Sequence, residues 1–76
     1  MIDLDNISNA QLEKAIDDWI HSERDRLILK KRLIDGYTYQ QISDYLYKEH
    51  KIDLSIRRIK TIVSNAEIKL FKHFDG

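Results

Sequence analysis

Apolar residues recur along this chain at intervals of three and four, and the pattern breaks only where residues that start or stop helices stand. Leu12, Ala15, Ile16, Trp19 and Ile20 share one helical face. Ser8 with Gln11 three residues on forms a capping-box pair, so the spacing predicts a first helix from about residue 9 to 21. Ser22 is placed to cap a second, from about 23 to 35, with Glu23 and Asp25 in its first turn and Gly36 where helices commonly end. A tight turn from Gly36 to Tyr39 follows. Thr38 with Gln41 is another capping-box pair, and Ile42, Tyr45 and Leu46 make the buried stripe of a third helix reaching about residue 49. The run HKIDL carries no clear period. Ser55 then caps a fourth helix that continues to about Phe74.

At about 100° per residue, Ile56, Ile59, Ile62, Val63, Ala66 and Leu70 lie together on the fourth helix, while Arg57, Thr61 and Ser64 point the opposite way. Arg58 and Lys60 flank them. With no proline, two glycines and no repeated or compositionally simple stretch, the expectation is an all-α, four-helix fold in one domain spanning 1–76. Within it, residues 1–8 form a flexible N-terminus, 9–35 supply supporting helices, and 38–74 form a helix-turn-helix with a long second helix.

Seventy-six residues bury only about 60% of the surface they expose when unfolded, so the core is thin and there is no room for two lobes around a cleft. The absence of cysteine excludes disulfides and thiolate metal sites. No apolar run is long enough for a membrane span or a signal-peptide core, which points to a cytoplasmic protein without a membrane partner. Net charge is zero, yet its distribution is lopsided. Residues 1–25 carry seven acids and two bases, a net of −5, so residues 26–76 carry +5.

That asymmetry sharpens a question in the stretch SIRRIKTI, residues 55–62. Cations in the first turns of a helix meet unpaired N–H groups and the positive end of the macrodipole, and they cost stability there. Arg57, Arg58 and Lys60 therefore either serve an anionic partner or simply stay solvated. Two helices joined through a turn, the second with a basic and polar outer face, are the outline of a DNA-binding helix-turn-helix.

Residues 23–70 also resemble region 4 of the sigma-70 family, which recognises the promoter −35 element, and its phage-encoded relatives. The run ERDRLILKKRLIDGYTYQQI is similar to that family's Glu-Arg, apolar stretch, Arg, apolar or aromatic pair, acid-Gly, then Ser/Thr-aromatic-Glu-Glu-Ile. SIRRIKTIVSNAEIKL resembles its recognition helix, with Ser55 at the capping position and Ile59, Ala66 and Leu70 at the buried ones. The resemblance implies that Arg57, Arg58, Lys60 and Thr61, with Ser55 and Ser64 beside them, meet bases and phosphates of the major groove. It implies equally that Thr38, Tyr39 and Gln40 touch phosphate. Three departures stand out. The connection from Leu46 to Ser55 is about six residues longer than the family's short turn, so an extended third helix or turn is expected. Lys31 occupies a normally apolar position. Gln41 replaces a glutamate that in many relatives pairs with the arginine matched by Arg32.

The remaining candidates are weaker. Tyr37, Tyr39, Tyr45 and Tyr47 read as turn or core aromatics before they read as base-stacking platforms. His21, His50 and His73 lack the close spacing of metal ligands, and no nucleophile–base pair stands out, so neither a metal, a cofactor nor an active site is expected. Ile68 and Phe71 fall off the core stripe; they either pack on the first helix near Trp19 or form an interaction surface for a second copy or another protein. The reading is a sequence-specific regulator of transcription that binds double-stranded DNA. The alternative is a protein-interaction module for RNA polymerase, a sigma factor or another regulator, with homodimerisation open.

Overall fold

The computed structural model describes residues 8–75, with side chains through Lys72. Four helices follow one another: α1 (Asn9–Trp19), α2 (Glu23–Leu29), α3 (Tyr39–His50) and α4 (Ile56–Asp75), with a π-helical turn, Lys30–Ile34, extending α2. The architecture is all-α. Of the flexible N-terminus expected over 1–8, all but Ser8 lies outside the described residues, as do the side chains of His73 and Phe74. Among the described residues no helix is long and apolar enough to cross a membrane.

Both capping boxes form as their spacing requires. The Ser8 hydroxyl accepts from the Gln11 amide while Gln11 Oε1 accepts from the Ser8 amide, and Thr38 and Gln41 repeat the arrangement at the start of α3. Ser22 and Ser55 accept from the amides of Asp25 and Arg58, so each predicted cap is in place. α1 stops at Trp19, two residues earlier than expected. Trp19, the last residue of the helix, stays 48% exposed because a large indole at a helix end has core on one side only, while Ile20 after it is buried.

The second helix departs most from its expected form. Its apolar residues recur five apart, Ile28 with Leu33 and Leu29 with Ile34, and an α-helix cannot align that interval. With α-helical turns throughout, Arg32 would instead continue the face of Ile28 and Leu29 into the core. The chain widens, the Asp35 amide donating to the Lys30 carbonyl five residues back at 3.1 Å. The wider turn brings Leu33 and Ile34 against the core and leaves Lys31 and Arg32 half-buried at its edge. Gly36 ends the segment at φ 74°, a left-handed conformation glycine adopts without penalty.

The extra residues before Ser55 are absorbed in two ways. α3 runs on to His50, and Lys51 reverses the chain at φ 58°. Ile52 and Leu54 then turn inward against the core, and the Ser43 hydroxyl donates to the Leu54 carbonyl at 3.2 Å, tying the connection down. Leu12, Ile16, Ile28, Leu29, Ile42, Leu46, Ile59, Ile62, Val63, Ala66 and Leu70 are buried, the last five belonging to the α4 stripe, whose first residue, Ile56, is half-buried. No charged or polar residue is buried among the described residues.

Candidate nucleic-acid interface

Burial of Ile59, Ile62, Val63, Ala66 and Leu70 fixes the roll of α4 about its own axis. Arg57, Arg58, Lys60, Thr61 and Ser64 consequently lie exposed on its remaining surface. Ser55 starts the helix, which puts Arg57 and Arg58 in its first turn. Among the described residues none of Arg57, Arg58 and Lys60 has a carboxylate within ion-pairing distance; the pairs that form belong to Arg24, Lys30 and Lys31.

The two flanks of α4 differ. On one side the Lys60 ammonium lies 5.4 Å from the centre of the Tyr39 ring, which brings Thr38, Tyr39 and Gln40 at the start of α3 beside the start of α4. The other side faces the α1–α2 turn across a cleft of about 320 Å³. Arg58, Thr61, Asn65 and Lys69 line it from α4, opposite His21, Ser22, Arg24 and Asp25, whose carboxylate pairs with Arg24. Of the sequence-predicted residues, Lys60 on α4 and Tyr39 on α3 are thus brought together, while Arg58 and Thr61 line the cleft on the other side of the basic face. Lys69, Asn65 and Arg24 border that face and were not foreseen; they become visible only when the turn is seen to pack beside α4.

Several of these side chains already hold local bonds that limit what they can offer. The Thr61 hydroxyl donates to the Arg57 carbonyl at 3.1 Å, so its proton is committed and it presents lone pairs outward. It can accept from the exocyclic amine of adenine or cytosine but not donate to guanine. The Thr38 hydroxyl accepts from the Gln41 amide and keeps its own proton for an oxygen outside. Gln40 donates to Asp44 at 3.1 Å.

Arg32 makes no bond to Gln41, whose amide oxygen is taken by the Thr38 amide. Its Nη1 donates instead to the Tyr37 carbonyl at 2.9 Å, and its guanidinium carbon sits 4.3 Å from the Tyr39 ring centre. Lys31, at the normally apolar position, lies 5.0 Å from the centre of the Tyr37 ring and 4.6 Å from that of Tyr45, and pairs with Asp35 at 3.2 Å. The Asp35 carboxylate holds the Lys31 pKa above the ordinary lysine value, against a smaller opposing effect of burial. The π faces of two rings thus do for a lysine stem what apolar neighbours do for a leucine.

Ile68 and Phe71 part company. Phe71 is half-buried, whereas Ile68 remains 55% exposed on the outward side of α4, so packing against α1 does not cover it. Among the described residues no group of three or more histidine, aspartate or glutamate side chains is arranged to hold a metal ion.

No protein-family model matches the chain, and neither a curated protein nor a solved structure matches it.

Proposed function

We propose that this protein binds double-stranded DNA sequence-specifically through the outward face of α4 and acts as a transcription regulator in the cytoplasm. The observation that carries the reading is the set of three exposed cations at the start of α4, Arg57, Arg58 and Lys60, none with a carboxylate partner among the described residues. Cations in a first turn work against the helix macrodipole, and duplex phosphate is an anion whose geometry suits a helix with flanking charges. Arg57 stands on the outward side, where a recognition helix reads base edges, and Thr61 lies between that side and the cleft shared with Arg58; Arg58 and Lys60 flank the face, where long side chains reach phosphates. The resemblance to sigma region 4 adds the same roles for the same residues.

Selection from a pool of randomised duplexes tests this. The expected outcome is a consensus of a few base pairs, weakened at one or two positions in Arg57→Ala. A pool that emerges unenriched from repeated rounds at moderate salt contradicts the reading.

A second reading, a protein-interaction module that binds RNA polymerase, a sigma factor or a second copy of this chain, is favoured by Ile68, an apolar side chain 55% exposed beside the basic face. Ile68→Ser combined with Phe71→Ser lowers the sedimenting mass if the contact is between copies. A mass already that of one chain at high concentration removes the homodimer.

A further inference from the structure

Tyr39 has cations against it from two different elements. The Arg32 guanidinium, from the π-helical turn, lies 4.3 Å from the ring centre, and the Lys60 ammonium, from α4, lies 5.4 Å from it. Two like charges held on one ring are no more than 9.7 Å apart, the sum of those distances. Neither has a carboxylate within ion-pairing distance among the described residues. Arg32 has five N–H donors, and the bond to the Tyr37 carbonyl uses one of them. Arg32 and Tyr39 are half-buried and Lys60 is exposed, so the cluster opens to solvent along the edge where α3 and α4 begin.

The ring of Tyr39 holds the two cations near each other without an acid between them. One anion can bridge both. We infer that Arg32 and Lys60, held on the ring of Tyr39, form a clamp for one backbone phosphate of the bound duplex. The clamp rests on the DNA-binding reading and deepens it. Tyr39 acts as a positioning residue through its π face, and its hydroxyl is not the phosphate ligand. Arg32 becomes a phosphate contact through the donors that the Tyr37 carbonyl leaves free. Nearby acids are engaged elsewhere, Asp44 accepting from Gln40 and Asp35 pairing with Lys31, and the Thr38 hydroxyl keeps a donor for a second phosphate oxygen.

Substitution at Tyr39 separates the ring from the hydroxyl. In duplex binding, Tyr39→Phe should match wild type within about twofold, whereas Tyr39→Leu should bind several-fold more weakly with a nearly unchanged salt slope, since both charges remain but are no longer held. Arg32→Gln should weaken every duplex alike and lower the slope by about 1. Thermal melting of each variant separates lost folding from lost contact. If Tyr39→Phe is as damaging as Tyr39→Leu, the hydroxyl is the ligand and the clamp is overturned. If wild type binds DNA with a steep slope while Arg32→Gln is indistinguishable from it, the clamp fails and the DNA reading stands.

A second measurement reports on the clamp even if duplex binding is absent. In a titration with inorganic pyrophosphate at low salt, followed by NMR, the Arg32 Nε–H and Tyr39 ring signals should move together and saturate. They should do so in Tyr39→Phe and not in Tyr39→Leu. Shifts spread evenly over Lys48, Lys51 and Lys72, with none concentrated at Arg32, overturn it.

Discussion

The chain has two runs of cations, KKR at 30–32 and RRIK at 57–60, and they are treated differently. In the first, Lys30 reaches across to α1 and pairs with Asp17 at 2.9 Å and, more loosely, with Glu13 at 3.9 Å, while Lys31 is closed in by Asp35, Tyr37 and Tyr45. In the second, Arg57, Arg58 and Lys60 meet no carboxylate among the described residues. The acidic head of the chain reaches Lys30 of the nearer run, Asp35 holds Lys31, and the farther run is left uncompensated. A net charge of zero therefore conceals a dipolar molecule, and composition alone misjudges what it can bind. Arg32 is the informative exception, since it sits in the first run and has the unpaired character of the second.

The largest effect that would break this comparison is loss of the roll of α4. Ile59 is fully buried, and Ile59→Asp places an uncompensated charge in a thin core, at a cost of several kcal/mol, comparable with about the whole stability of a small domain. Circular dichroism should find no cooperative melting transition; a normal one would mean the helix can present a different face. Next in size is Arg57→Ala, expected to cost about 1–3 kcal/mol on the preferred duplex and far less on random sequence, because a base contact rather than a phosphate contact is lost. Equal losses on both duplexes in a competition assay would move Arg57 into the phosphate-contact group.

Lys30 and Lys31 of the first run should respond in stability and not in binding. Lys30→Met removes a partly exposed ion pair and is expected to lower stability by roughly 0.2–1 kcal/mol with duplex affinity unchanged. An affinity loss without a melting shift would show that Lys30 faces the ligand after all. The smallest effect concerns Lys31. Its pKa is raised by Asp35, so its charge contributes stability that is complete at neutral pH, below the ordinary lysine range, and is lost as pH climbs through its raised value. Lys31→Met should therefore differ from wild type in melting temperature at pH 8, and the gap should narrow in strongly alkaline buffer. A gap that widens there reverses the sign and removes the Asp35 pairing as its cause.

Much of this was legible from residue order. The caps at Ser8, Ser22, Thr38 and Ser55 depend on pairs three residues apart, and the α4 stripe depends on one helical period, so both are local. The π-helical turn was missed because a 3.6-residue period was assumed across 23–35; the five-residue interval from Ile28 to Leu33 was the available signal. Lys31 at an apolar position was a second sign of the same change in register. What could not be read were encounters between residues far apart in the chain. Tyr39 with Arg32 and Lys60, and the cleft joining Arg24 to Arg58 and Lys69, arise from packing of separate helices. The exposure of Ile68 is legible from the wheel, but the partial burial of Phe71 is not.

The central claim is that the second run of cations, joined by Arg32, is kept for the duplex, whereas Lys30 and Lys31 are engaged within the fold. The most direct measurement is the salt dependence of duplex binding in Arg58→Ala, Lys60→Ala and Lys30→Met beside wild type. Each neutralised phosphate contributes about −0.9 to the slope of log affinity against log salt. The account predicts a steep wild-type slope that becomes shallower by about 1 in Arg58→Ala and in Lys60→Ala and is unchanged in Lys30→Met. Four superimposable slopes, or a slope that changes only in Lys30→Met, would contradict it.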